Sequence, residues 1–310
     1  MSYITLNMSP QQIEILHRHY QNQLIKPVPH SLFRVKTTNG VTITAYKSGK
    51  VLFQGNKAIQ EASQWEQVSS VSTPSSKSNT KAKLSPQELP ANFSSWTIIG
   101  SDEVGNGSYF GPLTVCAVYL DRPLIKKAQL LGAKDSKQLT DQRIRQIAAQ
   151  LKQDIPYALT ICTPTEYNQL NQTLNANAMK VHLHNLTIQQ LYQKLSKDQK
   201  DSLQAVFIDE FTSPKRYKEY LKKETNPYQG KMLFARQGEG KHLTVACASI
   251  IAREAFLTSL EELGKPYGLT LPSGAGANVD RIGRQLVKDY GRHMLPSVAK
   301  MHFANTNKIT

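Results

Sequence analysis

The chain has 310 residues, 39% of them hydrophobic and 20% charged, which suits one large folded domain or two ordinary ones and excludes a chain too polar to bury a core. No run of eighteen apolar residues suggests a membrane span, and the start, MSYITLNMSP, lacks the charged-then-apolar pattern of a secretory leader, so a cytoplasmic location without membrane contact is expected. Lys and Arg number 38 against 23 Asp and Glu, a formal charge of +15, and such a surplus fits a polyanionic partner because bound phosphates release their counterions.

Residues 1–67 read as a small α+β unit. Ser9 followed by Pro10 marks a helix start, and Ile13, Leu16 and Tyr20 recur at helical spacing. Short strands are expected at 32–35, 41–46 and 51–53, with Asn39-Gly40 and Ser48-Gly49 as hairpin turns between them. A second helix is expected over 56–65. The unit holds seven Lys or Arg against three Glu and no Asp, so it is basic in its own right. Residues 68–94 are rich in Ser, Thr, Pro and Lys without apolar periodicity, the composition of a flexible linker.

From 95 to 310 strand-like and helix-like segments alternate, the pattern of an α/β layer fold. Strands are expected at 96–100, 113–120, 157–163 and 203–208, and helices at 141–153, 175–195, 244–263 and 278–290. Cys116, Cys162 and Cys247 are far apart, each inside an apolar run; an odd, scattered set argues against disulfides or a zinc site and for buried thiols.

Three acidic places carry the chemistry. In TIIGSDEVGNGSYFGPL an apolar strand runs into Asp102-Glu103, followed by Gly105, Gly107 and Gly111. Adjacent carboxylates raise one another's pKa, and a hard cation such as Mg²⁺ or Mn²⁺, which prefers oxygen ligands, relieves the repulsion. The glycines leave backbone N–H groups bare to a ligand. An acidic hairpin loop would carry the same residues. In AVFIDEF, Asp209 ends an apolar run where α/β folds gather ligand-binding residues; Glu210 projects to the opposite side. In GEGKHLTVACASIIARE, Glu239 precedes a helix of small residues, a place where a carboxylate also serves simply to complement the helix dipole.

The blocks GSDEVGNGSYFGPL, KDSKQL, FIDEF and ACASIIAR resemble, in order and spacing, the signature of the type 2 ribonuclease H family. NANAMKVHLHNL, the ending AKMHFANTNK and the N-terminal unit resemble its ribonuclease HIII branch, which carries an extension similar to TATA-binding protein. The resemblance implies a ribonuclease H-like fold, a mixed sheet flanked by helices, preceded by a small α+β TATA-binding-protein-like domain. It implies an endoribonuclease that cuts the RNA strand of RNA–DNA hybrids with two Mg²⁺ or Mn²⁺ ions and leaves 5′-phosphate and 3′-hydroxyl ends.

Carried onto this sequence, the family's acidic set matches Asp102, Glu103, Asp209 and Glu239 as metal ligands and catalytic residues, with Asp102 bridging both ions. The fourth position is usually Asp in type 2 relatives, ten residues before the Ser of the small-residue helix. Glu239 lies ten before Ser249, so the position agrees and the residue differs, as expected of the HIII branch.

The same resemblance assigns Gly105, Asn106 and Gly107 to reading the ribose 2′-hydroxyl, the group that separates RNA from DNA. The relatives have a basic residue where Asn106 stands, so cleavage within a run of ribonucleotides is expected rather than at a single embedded one. Ser136 and Lys137 are expected to hold backbone phosphates; the lesser alternative is that Asp135-Ser136 caps the following turn. His182 and His184, two apart on a helix, do not face each other and read as surface or packing residues, as do His242 and His302. Phe33, Tyr46 and Trp65 read as core rather than as stacking platforms. The chain is expected to act as a monomer, with residues 1–67 tethering the hybrid. The competing readings are a non-catalytic nucleic-acid-binding protein, which has no use for carboxylates facing phosphates, and a DNA nuclease of the same fold.

Overall fold

The structure, a computed structural model, describes residues 3–28, 31–66, 89–134 and 136–309. The chain divides into two units, 1–82 and 83–310. Most of the segment expected as a linker, from 67 to 88, lies outside the described residues.

In the first unit the elements run β1 (Tyr3–Asn7), α1 (Pro10–His19), β2 (Leu24–Ile25), β3 (Ser31–Lys36), β4 (Thr42–Tyr46), β5 (Lys50–Gln54) and α2 (Ala58–Glu66). The strands form an antiparallel sheet in the order β1-β5-β4-β3-β2. Ser9 opens α1 through a capping box: its hydroxyl accepts from the Gln12 amide, and the Gln12 side chain accepts from the Ser9 amide. Gly40 and Gly49 take the positive φ values of 78° and 84° that the hairpins need. Ile13, Leu16, Ala58, Ala62 and Trp65 pack onto Phe33, Val35, Ile43, Val51 and Phe53 of the sheet. Phe33 and Trp65 are therefore core residues, whereas Tyr46 is half-buried at the edge of a groove with Lys47 and Lys50. Two strands, β1 and β2, go beyond the sequence expectation; neither carries a fully buried residue, so neither leaves a strong apolar pattern.

The second unit contains β6 (Ile98–Val104), β7 (Leu113–Leu120), α3 (Arg122–Leu130), α4 (Asp141–Asp154), β8 (Tyr157–Cys162), α5 (Pro164–Leu170), α6 (Ala176–Lys194) and α7 (Lys197–Ser202). There follow β9 (Ala205–Asp209), α8 (Pro214–Leu221), β10 (Met232–Ala235), α9 (Leu243–Gly264), α10 (Ala277–Tyr290), α11 (Leu295–Val298) and α12 (Thr306–Ile309). The sheet order is β10-β9-β6-β7-β8, parallel across β10, β9 and β6 and antiparallel across β6, β7 and β8. This is the mixed, helix-flanked sheet that the sequence implies. One face packs against α3, α4 and α9, the other against α6 and α8. Gly100 lets α9 lie directly on β6, since a Cβ there would stand 2.4 Å from the Thr244 hydroxyl oxygen.

Three details differ from expectation. β6 does not stop at Gly100 but continues to Val104, because β7 pairs with it along its whole length, with Asp102 opposite Cys116 and Glu103 opposite Val115. β10 adds an edge strand of four residues too short to announce itself in the sequence. Phe93, within the segment read as linker, is buried with its ring 4.9 Å from that of Phe207. All three cysteines are free and buried, as expected.

Candidate active site

Asp102 is the centre of the site. It is 6% exposed near the end of β6, and its Oδ1 accepts from the Glu103 amide at 2.8 Å. Burial, followed by the charges of Glu103 and Asp209, holds its carboxyl well above the usual carboxylate range; a hydrogen bond from Ser249 opposes this and the charge of Glu239 adds to it. The charges of Glu103, Asp209 and Glu239, from β6, β9 and the turn before α9, thus all bear on this one buried carboxyl.

Each of the other three is held by its own partners. Glu103 follows Asp102 on the strand and projects to the opposite face, toward α6. Its Oε1 accepts from Lys180 Nζ at 2.8 Å, and its Oε2 lies 3.0 Å from His184 Nε2. Burial raises the Glu103 pKa, but the hydrogen bonds and charges of His184 and Lys180 outweigh it and leave the carboxyl below its ordinary value. Asp209 ends β9, and its Oδ1 accepts from the Gly238 amide at 2.9 Å. Glu210 turns elsewhere, with Oε1 3.8 Å from Arg236 Nε. Glu239 sits in the short turn Gly238–Gly240 with its side chain 6% exposed. Its Oε2 accepts from the Ser136 amide at 2.7 Å, and its Oε1 lies 3.3 Å from Lys137 Nζ.

Ser136 departs from its expected role. It is 4% exposed, its hydroxyl lies 3.0 Å from that of Ser249, and its amide is committed to Glu239. Ser249 also hydrogen-bonds Asp102, so Ser136 links Glu239, through its amide, to the Ser249–Asp102 pair, through its hydroxyl. Ser136 thus braces the acids instead of facing a phosphate. Lys137, its side chain 75% exposed, remains on the solvent side of Glu239. Asp135 lies outside the described residues.

The sequence reading also missed Lys180 and His184. His184 is fully buried, with Nδ1 2.7 Å from Ser101 Oγ and its ring stacked on Phe211, where Lys180 Nζ also sits 3.9 Å from the ring centroid. The usable signal was their spacing: four residues apart on α6, they share one face, whereas His182 points away to Glu224 at 2.7 Å. His242 is structural. It caps α9, its Nε2 donates to the Trp96 carbonyl at 3.2 Å, and burial lowers its pKa to about 4.

Of the glycine-rich loop between β6 and β7, Asn106 and Gly107 are exposed, and a Cβ on Gly107 would meet nothing within 4 Å. Gly105 has φ +96°. The all-oxygen donor set and the mutual repulsion around Asp102 suit a hard divalent cation. The acids are not closed into a ready-made ligand shell: among the described residues no three His, Cys, Asp or Glu side chains form such a group.

Comparison with known proteins fixes the family. The family model described as Ribonuclease HII matches residues 99–306, and one described as a domain of unknown function, DUF3378, matches 4–78. A ribonuclease HIII of Enterococcus faecalis is 46% identical over 289 residues, covering 93% of this chain and 91% of its own. This chain belongs to the ribonuclease HIII family. A ribonuclease HIII of Bacillus licheniformis is 40% identical over 310 residues, covering 99% and 97% of the two chains. The crystal structure of Bst-RNase HIII in complex with Mn²⁺ is 39% identical, with a TM-score of 0.68 over 99% of this chain and 98% of that one. Family membership makes the chain a nuclease and a hydrolase.

Proposed function

We propose that this chain hydrolyses the RNA strand of RNA–DNA hybrids internally, leaving 5′-phosphate and 3′-hydroxyl ends. The observation that carries the reading is the buried Asp102 carboxyl, raised by the charges of Glu103, Asp209 and Glu239 and lying on the strand that leads into an exposed glycine loop. Asp102, Glu103, Asp209 and Glu239 would hold Mg²⁺ or Mn²⁺, with Asp102 shared between two ions. Held there, such ions would supply Lewis-acid chemistry to phosphodiester hydrolysis. Lys180, His184, Ser136 and the Gly238 amide fix the directions from which the carboxylates approach. Asn106 and Gly107 present the tip of their loop to the ribose, where a 2′-hydroxyl distinguishes RNA from DNA. Lys137 stands where a backbone phosphate could reach its ammonium.

Residues 1–67 serve, in this reading, as a substrate-binding unit similar to TATA-binding protein, joined through 68–94 to the catalytic unit 95–310. The overall +15 charge and the Lys47–Lys50 groove support contact with a polyanion. We read the setting as cytoplasmic, away from membranes, with the chain acting as a monomer. α9 is long and apolar enough to cross a bilayer, but 67% of its most apolar window is buried within the unit, as in a core helix.

The test is cleavage of an end-labelled RNA–DNA hybrid beside duplex DNA, duplex RNA and single strands, with and without Mg²⁺ or Mn²⁺. Metal-dependent cutting of the hybrid alone is expected. Cutting of duplex DNA at a similar rate eliminates the reading.

A further inference from the structure

Lys300 carries a charge in an unusual place. Its side chain is fully buried, and among the described residues no carboxylate forms an ion pair with it. Its Nζ donates to the carbonyls of Ser108 at 2.8 Å and Gly111 at 2.6 Å, and lies 5.6 Å from the centroid of the Tyr167 ring. Burial lowers its pKa to about 7. A buried ammonium without a counter-ion is costly, so whatever it does must be done by the groups that solvate it. Those groups are two carbonyls of the loop that begins at Gly105.

The same loop is fastened to the C-terminal segment through its backbone. The Lys300 amide donates to the Tyr109 carbonyl at 2.9 Å, the Gly111 amide donates to the Val298 carbonyl at 2.9 Å, and Phe110 pairs with Ala299 as an antiparallel bridge. The Tyr109 amide reaches the Gly274 carbonyl, and the Gly274 amide reaches the Ser108 hydroxyl. From 108 to 111 the loop is thus turned inward, while Asn106 and Gly107 stay exposed at its tip. Two carbonyl oxygens that converge on one point repel each other unless a cation or donor lies between them. Removal of the ammonium leaves buried acceptors unsatisfied and frees them to rotate outward, which would rotate the tip as well.

We propose that Lys300 is a positioning residue for substrate recognition: by drawing the Ser108 and Gly111 carbonyls inward it sets the orientation in which Asn106 and Gly107 meet the ribose. This rests on the reading that the 105–107 loop contacts the RNA strand. The C-terminal segment then belongs to the recognition apparatus although it supplies no group to the reacting phosphate.

The test is steady-state cleavage of an RNA–DNA hybrid by Lys300→Met, Gly107→Ala and the double variant, with melting curves recorded for each. Lys300→Met is expected to raise KM about tenfold while kcat changes less than about twofold. Gly107→Ala, with open space for its methyl group, is expected to raise KM without lowering the melting midpoint. The double variant is expected to be no worse than Lys300→Met alone, because both act through one loop. An unchanged KM in Gly107→Ala removes the loop reading itself. A raised KM in Gly107→Ala with an unchanged KM in Lys300→Met, or strictly multiplicative effects, overturns the role of Lys300. Should Lys300→Met fail to fold, Lys300→Gln, shorter and uncharged but still a donor to the carbonyls, takes its place with a smaller rise in KM expected and an unchanged KM overturning the role; failure of both to fold makes Lys300 a folding residue and overturns the inference.

Discussion

His184 Nε2 lies 3.0 Å from Glu103 Oε2, joining a helix to a strand across 81 residues of sequence. Lys180, one turn earlier on the same helix, takes the other Glu103 oxygen at 2.8 Å. Groups that orient a metal-binding carboxylate typically matter to metal affinity or activity by about 10- to 100-fold. His184→Ala and Lys180→Met are each expected to fall in that range. Calorimetric titration with Mn²⁺ in the absence of nucleic acid separates weaker metal binding from general damage, and binding equal to that of the unaltered chain counts against the positioning role.

Asp102 carries the opposite consequence for stability. Its buried carboxylate is repelled by Glu103, Asp209 and Glu239 when no cation intervenes. Asp102→Asn keeps the size and the acceptor for the Glu103 amide but removes the charge. Activity is expected to be lost, while the metal-free protein is expected to melt higher by roughly 2–4 °C, the effect of about 1 kcal/mol in a domain of this size. Thermal denaturation in the presence of a chelator checks this, and a lower midpoint for the variant contradicts it.

Much of this site was legible before any coordinates. Asp102, Glu103 and Asp209 each follow an apolar run, and burial of the run brings these carboxylates to the ends of strands inside the sheet. Gly40 and Gly49 marked hairpins because only glycine takes their φ values without strain. What was not legible depended on contacts made across the chain. The engagement of Ser136 with Glu239 spans 103 residues, and nothing local to KDSKQL points to it. Lys300 runs against the rule that lysines lie at the surface, so composition and periodicity assign it to solvent. β1 and β10 are edge strands with few fully buried positions, and their alternation is too brief to stand out.

The two loop glycines should respond differently to the same substitution. A Cβ on Gly105 would stand 2.3 Å from the Pro112 carbonyl oxygen and 2.9 Å from the Phe256 ring, and the residue has φ +96°. Gly105→Ala is therefore expected to destabilise the protein by on the order of 2 kcal/mol or more. Gly107→Ala is expected to leave stability within about 0.5 kcal/mol. Urea unfolding of the pair measures both, and equal midpoints refute the steric argument.

The N-terminal unit offers a groove lined by Thr5, Tyr46, Lys47, Ser48, Lys50 and Leu52 on its sheet. If phosphates are met there, each lysine contributes a counterion-release term. Lys47→Ala and Lys50→Ala are each expected to weaken hybrid binding by about 3- to 10-fold and to reduce the slope of log affinity against log salt by about one. Fluorescence anisotropy at several salt concentrations provides the slope. A slope that neither variant alters takes the groove out of the binding surface.

Lys300 has a signature in stability that is separate from its kinetic role. Its pKa is about 7 in the folded protein against 10.5 ordinarily, so between those values the unfolded chain binds more protons and stability rises with pH. Below 7 both states are protonated and the full penalty of the buried charge is present. The groups around it could obscure the trend. Cys162 is raised to about 11 and Tyr167 and Tyr109 are raised too, so these oppose it only as the pH nears the ordinary thiol value of 9.0 and do so in Lys300→Met as well, while His302 is lowered and changes mainly in the acid range. The interval from pH 7 to 8.5 therefore isolates the lysine. Across it the unaltered protein is expected to gain on the order of 1–2 kcal/mol relative to Lys300→Met. Urea midpoints of both proteins at about pH 7.0, 7.75 and 8.5 should diverge; parallel curves would mean that the ammonium is not buried in the way its surroundings imply.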